Sequence, residues 1–301
     1  MLGFIERDLE RQRKELAERQ ARQNRELVFP QGVCEAQGIP YRMQDKPCHR
    51  MDVYWPAEAG GPLPVIVNFH GGGLLLGDRS INRYFCGELA KRGFLVFCAE
   101  YPLVPESDVY GILKDASAAL TRVGKLLEQY HGDPRRIYLV GDSAGALICV
   151  YLAAMLKSRA VACAVNARTP NLDIRALGLI SGMFYTAKPD SIGIFLTRYF
   201  YGAKWRSHPF KPYRNPEHPQ IVGSLPPCML ITSEADNLRR YTMWYEQALA
   251  GAGVEHKLVD YGKDPRLTHA FVCMEPQYPE SQDSMDQLTA FLLAHGPKNG
   301  K

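Results

Sequence analysis

Short apolar runs alternate with longer amphipathic segments along most of the chain after about residue 50. The apolar runs have the length of buried strands and cover residues 65–69, 94–99, 136–140, 176–180, 228–232 and 256–261. The helical segments between and after them cover residues 80–92, 108–130, 144–156, 238–250 and 281–295. Apolar strands that alternate with helices predict an α/β fold, with a mostly parallel sheet covered on both faces. In such sheets, ligand sites lie beyond the carboxyl ends of the strands.

Two segments do not follow this alternation. Residues 6–26 interleave basic and acidic side chains with a narrow apolar stripe of Ile5, Leu9 and Leu16, which predicts a mostly exposed helix. This helix is either a solvated arm or a cap over the site. Residues 182–226 are rich in aromatics and prolines and too long for a plain connector, so we expect an inserted cap. The predicted organisation is an N-terminal arm or cap (1–45), the first part of the core (46–181), the cap insertion (182–226) and the second part of the core (227–301).

Composition excludes several classes of partner. The 36 basic and 32 acidic residues leave a net charge of +4, which is too small to favour nucleic acid or an anionic membrane. No stretch reaches the ~18 apolar residues of a membrane helix, and the first residues lack a secretory pattern. We therefore expect a cytoplasmic protein. The eight cysteines include no C-x-x-C pair, so we expect reduced thiols and no metal site.

Residues Gly141–Gly145 match the pattern G-x-S-x-G, with Ser143 at its centre. A predicted strand ends immediately before this pattern, and a predicted helix with small residues begins at Ala144. This strand–turn–helix context is typical of a nucleophile elbow. Glycines are needed on both sides because the serine adopts a strained backbone and side chains there would crowd strand and helix. An incidental serine in a glycine-rich turn is the alternative, which the context disfavours.

A second glycine motif, His70-Gly71-Gly72-Gly73, follows the strand at 65–69. Ester hydrolysis places negative charge on the carbonyl oxygen, and fixed backbone N–H groups stabilise that charge. We expect an oxyanion hole formed by the N–H groups of Gly72, Gly73 and Ala144. The motif lacks the spacings of phosphate-binding loops. His70 is expected to order the loop rather than to act as a base.

A serine nucleophile needs a base within hydrogen-bond reach, and the base needs an orienting carboxylate. Asp236 follows the strand at 228–232, and His269 follows the last strand, so both reach the same sheet edge as Ser143. The chain order of serine, acid and histidine is that of α/β hydrolases. Glu234, two residues before Asp236, is a competing candidate for the acid.

With these residues in place, the sequence resembles the hormone-sensitive-lipase-like family of α/β-hydrolase serine esterases. The resemblance covers about residues 50–295 and rests on the H-G-G-G and G-D-S-A-G motifs, on Asp236 before a leucine and on His269 two residues before a phenylalanine. Residues 101–106 resemble the family's Tyr-x-Leu-x-Pro-Glu segment, with Pro102 as a departure. The acid loop, often Asp-Pro-Leu-Arg-Asp in the family, reads Asp-Asn-Leu-Arg-Arg in residues 236–240.

The resemblance implies an α/β-hydrolase fold with a helical cap and a serine carboxylesterase that cleaves small, short-chain acyl esters of the acetyl type. It implies a Ser143–His269–Asp236 triad, an acyl-enzyme intermediate, and no metal or organic cofactor. The same residues could cleave amides, so a formamidase, other amidase or peptidase is the main alternative. A lipase is disfavoured by the lack of a broad apolar lid, and a non-catalytic receptor by the presence of His269. A homodimer across the edge of the last strand stays open.

Overall fold

The computed structural model describes residues 2–44 and 46–297, and a single mostly parallel sheet lies at its centre. Its strands are β1 (Val33–Pro40), β2 (Arg50–Pro56), β3 (Leu63–Phe69), β4 (Leu95–Ala99), β5 (Gly132–Asp142), β6 (Ile174–Ile180), β7 (Cys228–Ser233) and β8 (His256–Tyr261). Their spatial order is β1-β2-β4-β3-β5-β6-β7-β8. All neighbours from β4 to β8 pair in parallel, whereas β2 pairs antiparallel with both β1 and β4. The sheet confirms the predicted α/β class, and β3 to β8 coincide with the six predicted strands.

Helices cover both faces of this sheet. They are α1 (Leu2–Glu26), α2 (Arg83–Lys91), α3 (Val109–Leu126), α4 (Ala144–Lys157), α5 (Arg159–Ala164), α6 (Ser191–Tyr201), α7 (Pro219–Val222), α8 (Arg239–Gly251), α9 (Phe271–Met274) and α10 (Pro279–Ala294). The apolar faces of α3, α4 and α8 fill one core, and those of α2, α9 and α10 fill a second core on the opposite face. Within residues 2–44 and 46–297, no helix combines the length and apolar character needed to span a membrane.

The sequence pattern did not predict β1 and β2 at one edge of the sheet. Strand β1 lies inside the segment that we assigned to an N-terminal arm, and it is interrupted by Gly38, whose φ is +72°. The β1–β2 register shifts between Ala36 and Ile39 around this glycine. A strand with a bulge and half-buried positions lacks the continuous apolar run that marks the inner strands.

Helix α1 lies against the core through polar side chains. Gln20 contacts the hydroxyl of Ser80 in the segment after β3, and Gln23 contacts the carbonyl of Met274 in α9. Of the predicted apolar stripe (Ile5, Leu9 and Leu16), the first two side chains lie outside the described residues, and Leu16 is half-buried. The helix therefore bridges the segments that follow β3 and β8.

The segment 182–226 is anchored to the core by aromatic contacts centred on Phe210. This ring is fully buried, and its centroid lies 5.6 Å from that of Tyr110 in α3 and 5.3 Å from that of Tyr151 in α4. The Tyr201 ring of α6 and the Tyr213 ring complete its surroundings at 6.3 and 6.0 Å. One side chain thus joins this segment to two core helices.

We expect Phe210→Ala to lower the free energy of unfolding by about 3–5 kcal/mol, because the substitution leaves a cavity between aromatic rings that cannot collapse onto it. Phe210→Leu should cost much less, since it keeps most of the buried apolar volume. Urea denaturation of the wild type and both variants measures the difference. A loss below about 1 kcal/mol for the alanine variant, which is ordinary for point mutants, would show that Phe210 does not anchor the segment.

Candidate active site

Ser143 lies in a sharp turn between the end of β5 and the start of α4. Its backbone has φ 52° and ψ −114°, a region that residues with side chains rarely adopt. Two hydrogen bonds hold it there, because its N–H donates to the carbonyl of Ile180 at 2.8 Å and its carbonyl accepts from the N–H of Met183 at 3.0 Å. Ser143 is 5% exposed, so the turn presents the hydroxyl in a recess.

The two glycines of this turn are required by close backbone contacts. A Cβ atom on Gly141 would lie 2.4 Å from the carbonyl carbon of Gly145, and a Cβ atom on Gly145 would lie 1.9 Å from the carbonyl oxygen of Phe69. The first contact is within the elbow, and the second is with the end of β3. The sequence pattern therefore has a steric basis at both positions.

The structure brings the three predicted triad residues together. His269 Nε2 lies 2.9 Å from Ser143 Oγ, and His269 Nδ1 lies 2.7 Å from Asp236 Oδ1. Asp236 follows β7 and His269 follows β8, so parallel strands deliver both side chains to the carboxyl edge of the sheet. The N–H of Ala270, which has φ 56°, donates to Ser181 Oγ at 3.0 Å and helps to fix the histidine loop.

The Asp236 carboxylate has several donors. His269 and the N–H of Leu238, at 2.8 Å, contact Oδ1, and the hydroxyl of Thr232 donates to Oδ2 at 3.0 Å. Burial raises the pKa of Asp236, but the hydrogen bond and charge of His269 and the N–H of Leu238 lower it by more, so its pKa lies below the ordinary value. An ionised Asp236 can hold the imidazole in one tautomer and stabilise its protonated form.

The competing acid Glu234 lies elsewhere. It is exposed, and its backbone N–H donates to the carbonyl of Tyr261 at 3.0 Å. Asp236, by contrast, is buried beside the histidine. The arrangement therefore favours Asp236 as the orienting carboxylate.

The glycine loop, defined as residues 70–76, approaches the elbow from the end of β3. Gly72 and Gly73 have φ values of +106° and +64°, and a Cβ atom on Gly72 would lie 2.0 Å from the carbonyl oxygen of Leu76. Across the part of the chain that the structure describes, the N–H groups of Gly72, Gly73 and Ala144 have no acceptor. These are the three donors expected for the oxyanion hole, and they are free to bind an oxygen.

His70 makes its contacts with the glycine loop and with residues that follow β4. Its Nε2 lies 2.9 Å from Glu100 Oε1, its Nδ1 lies 2.8 Å from the carbonyl of Gly71, and its ring stacks on Tyr101 at 4.4 Å. Burial lowers the pKa of His70, but the Glu100 carboxylate raises it by more, so its pKa lies above the ordinary value. These contacts suit a residue that orders the glycine loop.

Asp142, which precedes the nucleophile, was not singled out from the sequence. Its Oδ1 accepts the N–H of Gly71 at 3.1 Å and the side-chain amide of Asn82 at 2.8 Å. Burial raises the pKa of this carboxyl. A carboxylate at the x position of G-x-S-x-G was the available signal, but its partner in the glycine loop becomes evident only in three dimensions. Asp142 thus links the elbow to the loop that holds the expected oxyanion donors.

The arrangement is suited to acyl transfer. A hydroxyl in contact with an imidazole can attack a carbonyl, and three free N–H groups can stabilise the resulting oxyanion. Among residues 2–44 and 46–297, no cluster of three or more histidine, cysteine or acidic side chains has the geometry of a metal site.

Comparisons with known proteins agree with this geometry. Residues 66–273 match the model of a family described as alpha/beta hydrolase fold. The chain is 29% identical over 238 residues to the carboxylesterase NlhH of Mycobacterium tuberculosis. This match covers 73% of this chain and 70% of that protein. It is 36% identical over 104 residues to a probable isoprenylcysteine alpha-carbonyl methylesterase, ICMEL1, of Arabidopsis thaliana. That match covers 35% of this chain and spans only 22% of the plant protein.

A crystal structure of esterase B from Lactobacillus rhamnosis, inhibited with a tributyrin phosphonate, has a similar fold. The TM-score is 0.89 at 22% sequence identity, and the similarity covers 95% of this chain and 94% of that one. The shared fold, together with the family match, confirms the predicted α/β-hydrolase fold and the family resemblance.

The depressed pKa of Asp236 has a consequence for stability. The carboxylate stabilises the folded protein above its unfolded pKa of about 3.9, and this contribution is lost as the pH falls through the lower, folded pKa. We expect Asp236→Asn to lower the free energy of unfolding at neutral pH by about 1.5–3 kcal/mol, the usual contribution of a hydrogen bond to a charged group. The difference from the wild type should shrink below a pH of about 3.9.

Urea midpoints of both proteins at neutral pH and at a pH of about 3 measure this change. Glu234→Gln is the matched control, and its midpoint should stay near that of the wild type at neutral pH because Glu234 is exposed. An Asp236→Asn deficit of the same size at both pH values would contradict the assignment of an ionised, stabilising Asp236.

Proposed function

Because the chain belongs to the α/β-hydrolase family, we propose that it is a serine carboxylesterase that hydrolyses small, short-chain acyl esters. The observation that carries the proposal is the chain of contacts Ser143–His269–Asp236, at 2.9 and 2.7 Å, beside three backbone N–H groups that have no acceptor among the described residues. The carboxylesterase relative, matched over most of its length, favours esters as the substrate class. The motif resemblance favours short acyl chains.

The proposed reaction proceeds through an acyl-enzyme. Ser143 Oγ attacks the ester carbonyl carbon while His269 Nε2 takes the hydroxyl proton. The carbonyl oxygen becomes an oxyanion and accepts hydrogen bonds from the N–H groups of Gly72, Gly73 and Ala144. His269 then gives its proton to the leaving alcohol as the carbon–oxygen bond breaks. Throughout, Asp236 orients the imidazole and stabilises its protonated form.

The second half of the reaction repeats these roles with water. His269 takes a proton from a water molecule, the resulting hydroxide attacks the acyl carbon, and the same N–H groups stabilise the second oxyanion. The bond between Oγ and the acyl carbon breaks, the proton returns to Ser143, and the acid leaves.

Hydrolysis of p-nitrophenyl esters, from acetyl to palmitoyl, tests the proposal. We expect wild-type kcat/KM to be highest for the short chains, and Ser143→Ala to lower kcat by at least ~10³-fold because the nucleophile is lost. Ser207→Ala, which changes an exposed serine, should leave the rate unchanged. A Ser143→Ala variant that keeps most of its activity would refute the assignment of the nucleophile.

The same series separates the ester proposal from its main alternative. The triad could also cleave amides, so the acyl group that is hydrolysed best as an ester should be compared with its anilide. We expect the ester to be the better substrate. A folded wild type that is silent on all esters but cleaves the anilide would replace the esterase proposal with an amidase or peptidase.

The carboxylates of Asp236 and Glu234, two residues apart in the chain, give a sharper test of the triad. We expect Asp236→Asn to lower kcat by about 10⁴-fold, as loss of the orienting carboxylate does in other triads. Glu234→Gln changes the same functional group two residues away on an exposed side chain and should have little effect on kcat. Equal losses in the two variants, measured on the best p-nitrophenyl ester, would show that the acid has been misassigned.

A further inference from the structure

One side chain of α1 contacts both the glycine loop and the neighbouring loop that follows β4. The guanidinium of Arg13 donates from Nε to the carbonyl of Leu75 at 3.0 Å and from Nη2 to the carbonyl of Val104 at 3.2 Å. The carboxylate of Glu106 lies beside the same group, with its two oxygens 3.3 and 3.4 Å from the guanidinium nitrogens. Arg13 therefore holds three groups on two loops that are distant in sequence.

The carbonyl of Leu75, one of the two that Arg13 contacts, belongs to the turn that presents the expected oxyanion donors. The N–H groups of Leu75 and Leu76 donate to the carbonyl of Gly72 at 3.0 and 2.9 Å. The second loop is tied to this turn independently, because the N–H of Val104 donates to the carbonyl of Leu74 at 2.8 Å. A shift of Leu75 would therefore move Gly72 and its N–H group.

This turn also needs an external constraint. Gly72, Gly73 and Leu74 all have positive φ values, of +106°, +64° and +66°. Glycine adopts a positive φ readily, but at Leu74 this conformation is costly and persists only where the surroundings hold it. Arg13 supplies such a hold on the solvent side, whereas Asp142 supplies one from the core through Gly71.

We infer that Arg13 is a positioning residue of the oxyanion hole: through Leu75 it holds Gly72 and Gly73 where their N–H groups reach the developing oxyanion. The inference rests on the proposed function of Ser143 as an acyl-transfer nucleophile. A planar guanidinium with a fork of donors can satisfy two carbonyls and a carboxylate at once, whereas a lysine ammonium offers a single point charge.

Other contacts of α1 provide a matched control. Arg19 forms an ion pair with Glu275 at 3.0 Å, and Gln20 contacts Ser80. These contacts attach the same helix to the core but do not involve the glycine loop. Arg19→Met therefore weakens the attachment of α1 without removing the hold on Leu75, and it separates general docking of the helix from positioning of the turn.

A cavity beside Arg13 allows a chemical rescue. It has a volume of about 640 Å³ and is lined by Arg13 together with Gly77, Tyr101, Leu103 and Glu106, among others. In Arg13→Ala, a free guanidinium ion could enter from this cavity and rebind between Glu106 and the two carbonyls. Such a rescue is specific for the missing group, because a purely structural defect would not be repaired by it.

The test measures phosphonylation of Ser143 by an alkyl fluorophosphonate, a reagent that does not depend on the ester or amide preference of the enzyme. The Oγ–phosphorus bond forms, the phosphorus–fluorine bond breaks, fluoride leaves, and His269 takes the hydroxyl proton. The phosphoryl oxygen occupies the oxyanion hole. We expect Arg13→Ala to lower the second-order rate constant by about 10- to 100-fold, the range that a displaced catalytic group produces.

Guanidinium chloride at low millimolar concentration should restore part of this rate in Arg13→Ala but not raise it in the wild type or in Arg19→Met. Arg13→Lys should give an intermediate rate.

On the best ester, Arg13→Ala should lower kcat with little change in KM, because the lost interaction acts only in the transition state. If circular dichroism shows that Arg13→Ala is not folded, Arg13→Gln replaces it, and its rate is compared with that of Arg13→Lys.

The outcomes distinguish this inference from the proposed function. A wild type whose Ser143 is not phosphonylated overturns both. A labelled wild type with an equal rate in Arg13→Ala, or in Arg13→Gln where that variant replaces it, overturns the role of Arg13 alone. An equal loss in Arg13→Ala and Arg19→Met, with no rescue by guanidinium, also overturns it and assigns the effect to docking of α1.

Discussion

The site depends on the close approach of the α4 N-terminus to the end of β3. A Cβ atom on Gly145 would lie 1.9 Å from the carbonyl oxygen of Phe69 and 2.9 Å from that of His70, so only a glycine permits this contact. Because α4 begins directly after Ser143, the contact sets the distance between Ser143 and the glycine loop. Each of the two chain reversals that meet here contains a non-glycine residue at positive φ, Ser143 in one and Leu74 in the other, so both depend on their surroundings to hold them.

Hydrogen bonds of buried polar side chains fix the position of the glycine loop beside the α4 N-terminus. Asp142 and His70 are both buried, and unpaired charges in such positions would be expensive. Each is instead bonded to a neighbour on another element, Asp142 to the loop at Gly71 and His70 to Glu100 at the end of β4. The loop therefore has few alternative conformations of low energy. Its N–H groups can then stabilise a developing charge without first having to move.

The sequence predicts the parts of this structure that local pattern encodes. Continuous apolar runs located β3 to β8, and the order of motifs identified the three residues that now lie in hydrogen-bond contact. Strand β1 was missed because the bulge at Gly38 breaks the alternation that a pattern search needs. Strand β2 was missed because Asp52 interrupts its short apolar run. Asp142 and Arg13 were missed for another reason, since their contacts join residues separated by 71 and 62 positions in the chain. Such contacts depend on the register of the fold, so the partner of each side chain cannot be identified from the local sequence.

Three sets of contacts hold the glycine loop, and they differ in how deeply they are buried. Asp142 and the His70–Glu100 pair act from inside the core, where a low dielectric strengthens hydrogen bonds and any loss is costly. Arg13 acts from α1 with a side chain that is 33% exposed, where water competes for the same carbonyls. The inner half of the loop is thus held from the sheet, while its outer half, at Leu75, depends on a side chain of helix α1. The position of the N–H groups proposed to bind the oxyanion therefore depends both on the sheet edge and on the first helix of the chain.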